Sequence, residues 1–331
     1  MAIGGRGEES MGRYLIRRLL WVLLLVVLIT LFTFVIFFVM PPTDPSILFA
    51  GRAPSPRLIA QVKESLGLDQ PAPIQYLLFL RRLFLGDEYG WPGFGFSFLT
   101  RSPIKPVLLE RAVVTFQLAV GAAVLWLVLG VVIGIISALN RGKIADRVAM
   151  GFALLGVSAP VFWLGLMALW IFWQQLELLP GTGYVAISDD PSQWFLHFVL
   201  PWFVLALLFA AFYARMVRSN LLETLNEDYI RTARAKGLSE RKVIFRHALR
   251  SSLTPVVSLF GVDFGTLLGG AIITETVFNL PGLGTYVVRA VGNGDLPVIL
   301  AVVVFAGLGV TIMSLVVDVL YAFLDPRVKY A

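Results

Sequence analysis

Cysteine is absent from this 331-residue chain, and histidine occurs twice, at His197 and His247. Without Cys there is no disulfide framework and no thiolate metal site. The topology read below puts the two His on opposite sides of a membrane, so they cannot share an ion. Charge is scarce: Asp, Glu, Lys and Arg make up 15% of residues, against about a quarter in a soluble domain. No Gly-x-x-x-x-Gly-Lys-Ser/Thr phosphate cradle occurs. The nearest fragment, Gly142-Lys143-Ile144, lacks the upstream Gly and the hydroxyl, so nucleotide binding through such a loop is not expected. Neither H-E-x-x-H nor G-x-S-x-G is present, which leaves a protease or hydrolase little to stand on.

Apolar residues are what the chain has: 58% of it is hydrophobic, with a mean hydropathy of +0.82. Several runs exceed the ~18–20 residues that cross a ~30 Å hydrocarbon core. An all-α polytopic membrane protein in a lipid bilayer is therefore expected. Six spans are predicted: Leu19–Met40, Val113–Leu139, Val148–Leu176, Phe195–Ala214, Pro255–Val277 and Val298–Leu324. The first follows Arg13, Arg17 and Arg18 and lacks a small-residue cleavage site, so it reads as a retained signal anchor.

Basic residues orient the spans. Arg141, Lys143 and Arg147 lie in the second connection. The fourth carries Arg215, Arg218, Arg231, Arg234, Lys236, Arg241, Lys242, Arg246 and Arg250. The third, Glu177–Trp194, has neither Lys nor Arg, and the fifth, Thr274–Pro297, has Arg289 alone. The positive-inside rule then places both termini and the second and fourth connections in the cytoplasm. This accounts for the net charge of +6 without nucleic acid. The expected organisation is a cytoplasmic segment 1–18, a first span 19–40, an external segment 41–112 and a membrane core 113–324. The core contains the cytoplasmic loop 215–254, and a tail 325–331 follows it.

The external segment is long enough to escape the charge rule. Pro41, Pro42, Pro45, Pro54 and Pro56 are expected to keep its start out of a helix. Ser55 can cap a helix through Leu66, with Pro56 at its first position and Gly67 at its end. Gln75–Leu85 is a second amphipathic stretch, and Gly86–Phe98 is a turn rich in Gly and aromatics. A small folded unit is expected, not disorder.

The fourth connection is too polar to enter a bilayer and too regular for a slack linker. Tyr229, Ile230 and Ala233 recur at helical spacing, with Arg231, Arg234 and Lys236 facing elsewhere. Gly237 can end that helix and Ser239 can cap the next, in which Val243, Ile244, Ala248 and Leu249 share a side. Two readings are open on periodicity alone. One is a surface helix on anionic headgroups. The other is a rigid plug for another protein's groove, with apolar anchors and charges that set register.

Tyr229–Leu238, Y-I-R-T-A-R-A-K-G-L, resembles the cytoplasmic EAA loop of ABC importer permeases, in its dipeptide/oligopeptide/nickel branch. The general motif has Glu where this chain has Arg231, a departure typical of the branch, and its Pro falls at Pro255. Other branch-like stretches follow in order. They are Gly12–Leu20, Pro106-Val107 with Arg111 and Thr115, Leu179–Tyr184, Glu275–Gly284, Asp295-Leu296-Pro297 and Asp318–Arg327. The usual Gly-Asp-Leu-Gly-x-Ser run is broken by an expanded Glu88–Phe96.

The resemblance implies a six-span type I importer permease in a prokaryotic cytoplasmic membrane. Its partners are a second homologous permease, two ATP-binding subunits and an external substrate-binding protein. ATP and Mg would be bound by the ATPases, with no cofactor in this chain. The resemblance also implies that Tyr229, Ile230, Arg231, Thr232, Ala233, Arg234, Ala235, Lys236, Gly237 and Leu238 form the ATPase contact. Peptides are the default cargo of the branch, but nickel chelates, glutathione and oligosaccharides use similar permeases.

Asp263 lies about eight residues into the fifth span, roughly 12 Å deep at ~1.5 Å per residue. An acid at that depth faces a cavity or a partner, or hydrogen-bonds a neighbouring helix. Asp318 lies nearer the cytosolic end of the sixth span, where pairing with a basic residue is expected. Gly265, Gly269 and Gly270 thin the face beside Asp263, for close packing or for a path. Glu275, Phe278, Leu280, Pro281 and Gly282 belong to the irregular outer turn, which the family places beside the closed mouth of the pathway; a mere chain reversal is the plain alternative. The rival from another class is a secondary transporter or channel that uses Asp263. It needs coupling charges or inverted repeats, and neither stands out.

Overall fold

A computed structural model describes residues 11–40, 44–50 and 54–324. The expected end segments, 1–18 in part and 325–331 entirely, lie outside the described residues, as does the side chain of Asp318. The described residues are mostly helical. Helix α1 (Met11–Phe34) passes into a π-helical stretch, Val35–Val39. Short helices α2 (Pro45–Ala50), α3 (Pro56–Leu66) and α4 (Ala72–Leu85) follow, then a two-residue hairpin, β1 (Phe96–Ser97) and β2 (Ser102–Pro103). Next come α5 (Ile104–Leu139), α6 (Ile144–Ser158), α7 (Val161–Ala168) with its π-helical extension Leu169–Gln175, and α8 (Pro191–Thr224). The cytoplasmic candidates are α9 (Asp228–Ala235), α10 (Glu240–Lys242), a π-helical turn Val243–Ala248 and α11 (Leu249–Ser252). The chain then forms α12 (Thr254–Leu268), α13 (Ile272–Val277), α14 (Leu283–Asn293) and α15 (Leu296–Leu324).

Among the described residues, four helices are long and apolar enough to cross a membrane: Leu19–Val39, Ile104–Leu139, Pro191–Thr224 and Leu296–Val316. A fifth results if Glu240–Ser252 and Thr254–Leu268, bent by 43°, form one span. The predicted third span, Val148–Leu176, is not one helix. It stops at Ala159, which is extended ahead of Pro160, and restarts as α7. Proline denies its predecessor the helical conformation. The predicted fifth span also breaks, at Gly269-Gly270, where Gly270 has φ +113° and lies against Gly284 too closely for a Cβ.

The fold divides into two compact units. The first comprises the described residues of 11–115, 265–270 and 282–324. Its core is aromatic: Phe34 stacks on Phe38 at 4.9 Å, and Phe38 meets Phe49 at 4.9 Å and Phe79 at 6.0 Å. In α1 the Thr30 and Thr33 hydroxyls donate to the Val26 and Ile29 carbonyls (2.9 and 2.7 Å), which satisfies them without water. Ser55 accepts from Leu58 N–H at 3.3 Å, and Gly67 closes α3 at φ +67°, as the cap pattern predicts. The proline-rich start departs from expectation. Pro45 opens α2, because the first helical position needs no N–H; Asp44 accepts from Ser46 N–H at 2.9 Å. The turn after α4 is built on Asp87, which accepts from Tyr89 N–H (2.8 Å) and Gly95 N–H (2.9 Å). Helix α5 starts nine residues before the predicted span, since Ile104 and Leu108 bury an apolar face.

The second unit comprises residues 116–264 and 271–281. Helix α8 is its axis, with Phe198, Ala206, Tyr213, Ala214, Val217 and Leu221 fully buried. Gly130 and Gly134 let α5 approach it: a Cβ there would lie 2.6 Å from Tyr213 Cβ and 2.7 Å from Val217 Cβ. Such small-xxx-small spacing replaces the hydrophobic drive that helices lack in lipid.

Candidate functional site

Helix α8 ends at Thr224, and α9 begins four residues later, at Asp228. Gly237 takes φ +76° and donates to Arg234 O at 2.9 Å, while Leu238 N–H reaches Ala233 O at 3.3 Å. The left-handed residue thus ends α9 as its identity requires. Ser239 stands at the start of α10 with extended backbone, but its hydroxyl makes no cap bond.

The two faces of this loop separate cleanly. Ile230 and Ala233 are buried in a cluster with Ala138, Leu221, Val243 and Ala248; Leu238 packs at its edge. These apolar residues anchor the loop to its own chain. Tyr229 (45% exposed), Arg231, Thr232, Arg234, Ala235, Lys236 and Gly237 remain on the outside, with Phe245. Arg234 holds Glu240 at 2.7 Å across the α9–α10 turn. The result is a surface with two exposed aromatics, Tyr229 and Phe245, and a basic rim.

A clasp fixes the ground on which this loop stands. Arg218 of α8 donates through Nε to Asp146 Oδ1 and through a terminal nitrogen to Oδ2, both at 2.9 Å. The Ser137 hydroxyl donates to the same carboxylate, and Gly142 N–H adds a bond at 2.9 Å. The Arg218 hydrogen bond first, then Ser137 and Gly142, hold the Asp146 carboxyl well below the usual range. Charge counting used Arg218 merely to orient the chain and passed over Asp146. The available signal was a lone acid in a short basic connection.

The pathway candidates are distributed over the two units. In the second, Tyr213 donates to Asp263 Oδ2 at 2.7 Å, so the acid is met by a neighbouring helix. Trp126 packs beside it, on Phe209, Tyr213 and Phe260. Glu275 is fully buried in α13; Phe278 and Leu280 are buried in the turn that follows, and Pro281 is half-buried. Gly183 N–H donates to Phe278 O at 2.9 Å. The Leu179–Tyr184 stretch and the Glu275–Gly284 stretch therefore meet. Gly165 lies against Val277 and Phe278 so closely that a Cβ would be 2.9 Å from Val277 Cγ1. In the first unit, Gly265 faces Val310 and Met313, and Gly269 faces Ala306. Gly282 is buried before α14, whose Leu283 N–H donates to Thr115 Oγ1 at 2.8 Å. Among the described residues no group of three His, Cys, Asp or Glu could hold a metal ion.

Known proteins show which family the chain resembles. Residues 130–330 match the family described as binding-protein-dependent transport system inner membrane component, and residues 11–119 match its N-terminal membrane component. A probable peptide ABC transporter permease protein, y4tP, of Sinorhizobium fredii is 36% identical over 97% of this chain and 100% of its own. The dipeptide transport system permease protein DppB of Alkalihalophilus pseudofirmus is 38% identical over 96% and 99%. The glutathione transport system permease protein GsiC of Salmonella choleraesuis is 40% identical over 96% and 99%. A chain of the MetNI methionine ABC transporter, solved in inward-facing conformations, shares the fold. It has a TM-score of 0.51 at 18% identity, covering 67% of this chain and 97% of that one. The chain belongs to the dipeptide/oligopeptide ABC transporter permease family, and it is a multi-pass inner-membrane protein.

Proposed function

We propose that this chain is one of two permease subunits of an ATP-driven importer for di- or oligopeptides. Two ATP-binding subunits drive it from the cytoplasm, and an extracytoplasmic substrate-binding protein delivers cargo. The chain performs no covalent chemistry; ATP and Mg belong to the ATPases. Both termini and the loop 215–254 face the cytoplasm, and the segment 41–112 faces outward. Peptide cargo follows from the names of y4tP and DppB, with glutathione, itself peptide-like, the second choice from GsiC.

The observation that carries the reading is the split in α9. Ile230 and Ala233 are spent on internal packing, and Tyr229, Arg231, Arg234 and Lys236 are left outside on a rigid base. A loop built to lie on lipid would turn its apolar residues outward. A loop built to transmit force needs them inward, as a stiff connection to α8. ATP binding can favour one arrangement of the permeases only as far as it binds that arrangement more tightly.

The rival, an ion-coupled transporter that uses Asp263, is less well supported, since that acid is engaged by Tyr213. Affinity purification of the tagged chain from native membranes tests the proposal. An ATPase with a Walker motif should co-purify, and Ala233→Glu, which forces a charge into the cluster, should release it while the chain still inserts. Recovery of the chain with no ATPase, before any substitution, contradicts the proposal.

A further inference from the structure

Two of the family-like stretches meet α14 at one end of the first unit, and the function proposed above uses none of this convergence. Arg111 comes from the start of α5, Tyr286 and Arg289 from α14, and Asp295 from the junction before α15. They line a single cavity of about 310 Å³. Its chemistry is unfinished. Asp295 is 4% exposed; its Oδ2 accepts from Ser97 Oγ at 2.5 Å, but its Oδ1 has no hydrogen-bond partner. The Nε of Arg111 is buried and has no partner either. A buried polar atom left unpaired forfeits its hydration without return. Here the unpaired acceptor and the unpaired donor belong to two residues that line one recess.

The charges select the ligand. Arg111 and Arg289 against Asp295 leave the recess net positive, so it favours an anionic group. That anion must bring an N–H with it, because a bare carboxylate or phosphate leaves Asp295 Oδ1 unanswered and repels it. A guanidinium presents its N–H groups in a fixed fork suited to carboxylate. The exposed Arg289 and Asn293 stand at the rim, where a second part of a ligand can lie. Tyr286 stays neutral: burial first, then the Asp295 charge, push its hydroxyl up to about 12, with Arg111 opposing. It adds polarity without changing the sign.

We infer that this recess is a binding site for the C-terminal end of a short peptide: Arg111 and Arg289 take the terminal carboxylate, and Asp295 Oδ1 accepts from the adjoining amide N–H. The choice of a peptide over other carboxylates flanked by N–H rests on the proposed function. On the proposed topology the recess opens outward, so it would hold peptide on the extracytoplasmic side before entry.

The full chain, in lipid nanodiscs with the subunits that co-purify and without a binding protein, can be titrated with labelled Ala-Ala-Ala. Saturable binding is expected. It should weaken about tenfold or more for the C-terminally amidated peptide and in Arg111→Gln, which each remove a charge-assisted bond. Arg289→Gln lies at an exposed rim and decides the matter if Arg111→Gln fails to fold; it too should weaken the acid form and leave the amide unchanged. Absence of binding, or equal affinity for acid and amide, overturns the inference; either result is what an Arg111–Asp295 pair that closes on itself would give. ATP-dependent peptide uptake, measured separately in proteoliposomes, separates the two claims. Uptake without binding here rejects this site and leaves the importer standing; binding without uptake does the reverse.

Discussion

Arg218 grips Asp146 with two nitrogens, each 2.9 Å from a different carboxylate oxygen. The pair joins the short α5–α6 connection to the last turns of α8, and α8 leads directly into the loop that carries α9. With Ser137 and Gly142 N–H also on the carboxylate, Asp146 is 5% exposed and fully answered. Removing one partner is therefore worse than removing both.

Arg218→Ala should destabilise the protein more than the double change Arg218→Ala with Asp146→Asn, because the single change strands a nearly buried carboxylate. Arg218→Lys should fall between, since an ammonium lacks the fork. Thermal melting in detergent ranks the three; a double variant worse than the single one contradicts the account.

The same clasp has a defined pH behaviour. The folded carboxyl of Asp146 sits below its ordinary value. Its contribution is present above the unfolded pKa, about 3.9, and is lost as pH falls through the lower folded value. From pH 5 to 8 the gap in melting temperature between wild type and Asp146→Asn should stay constant. A gap that narrows as pH falls from 8 to 5 shows that the carboxyl is not held low.

Tyr213 and Asp263 make a different claim. Asp263→Asn keeps an oxygen that can accept from the Tyr213 hydroxyl, whereas Tyr213→Phe leaves the acid without that donor. Tyr213→Phe should therefore lower stability, by about 1–2 kcal/mol, while Asp263→Asn changes it little. If Asp263→Asn instead abolishes transport in a protein of unchanged stability, the acid acts on cargo or on an ion and the helix-to-helix role is secondary.

Ser65 tests the topology. It is exposed near the end of α3 in the segment proposed to face outward. In a chain with no native Cys, Ser65→Cys should react with an impermeant thiol reagent on intact cells. Labelling that requires permeabilisation would reverse the orientation.

Local chemistry made much of this legible in advance. Ser55 and Gly67 bound α3, and Gly237 ends α9, because each residue type answers one backbone problem at one position. The periodicity of Ile230 and Ala233 announced a buried face, but not that Leu221 and Ala138 of the same chain would cover it. Bonds between distant residues had no local partner signal: Arg218 and Asp146 are 72 residues apart, Tyr213 and Asp263 are 50 apart, and while each acid stands out locally, nothing local names its partner. Two helix breaks had local signals that hydropathy overrode. Pro160 interrupts the third predicted span, and Gly269-Gly270 interrupts the fifth, although both stretches are mostly apolar. Gly130 and Gly134 carried the close-packing spacing for α5 against α8, and a search for small residues confined to the fifth span missed them.

The central claim is that the outer face of α9 meets an ATPase while its inner face is fastened to α8. Single cysteines at Tyr229 and Lys236, on the exposed side, and at Ile230, on the buried side, test it in native membranes. With a short bifunctional thiol cross-linker, Tyr229→Cys and Lys236→Cys should join a subunit that carries a Walker motif, and Ile230→Cys should not. ATP trapping should change the yield at the outer positions. Cross-linking of Ile230→Cys with equal efficiency, or of none of the three to a nucleotide-binding subunit, would contradict the account.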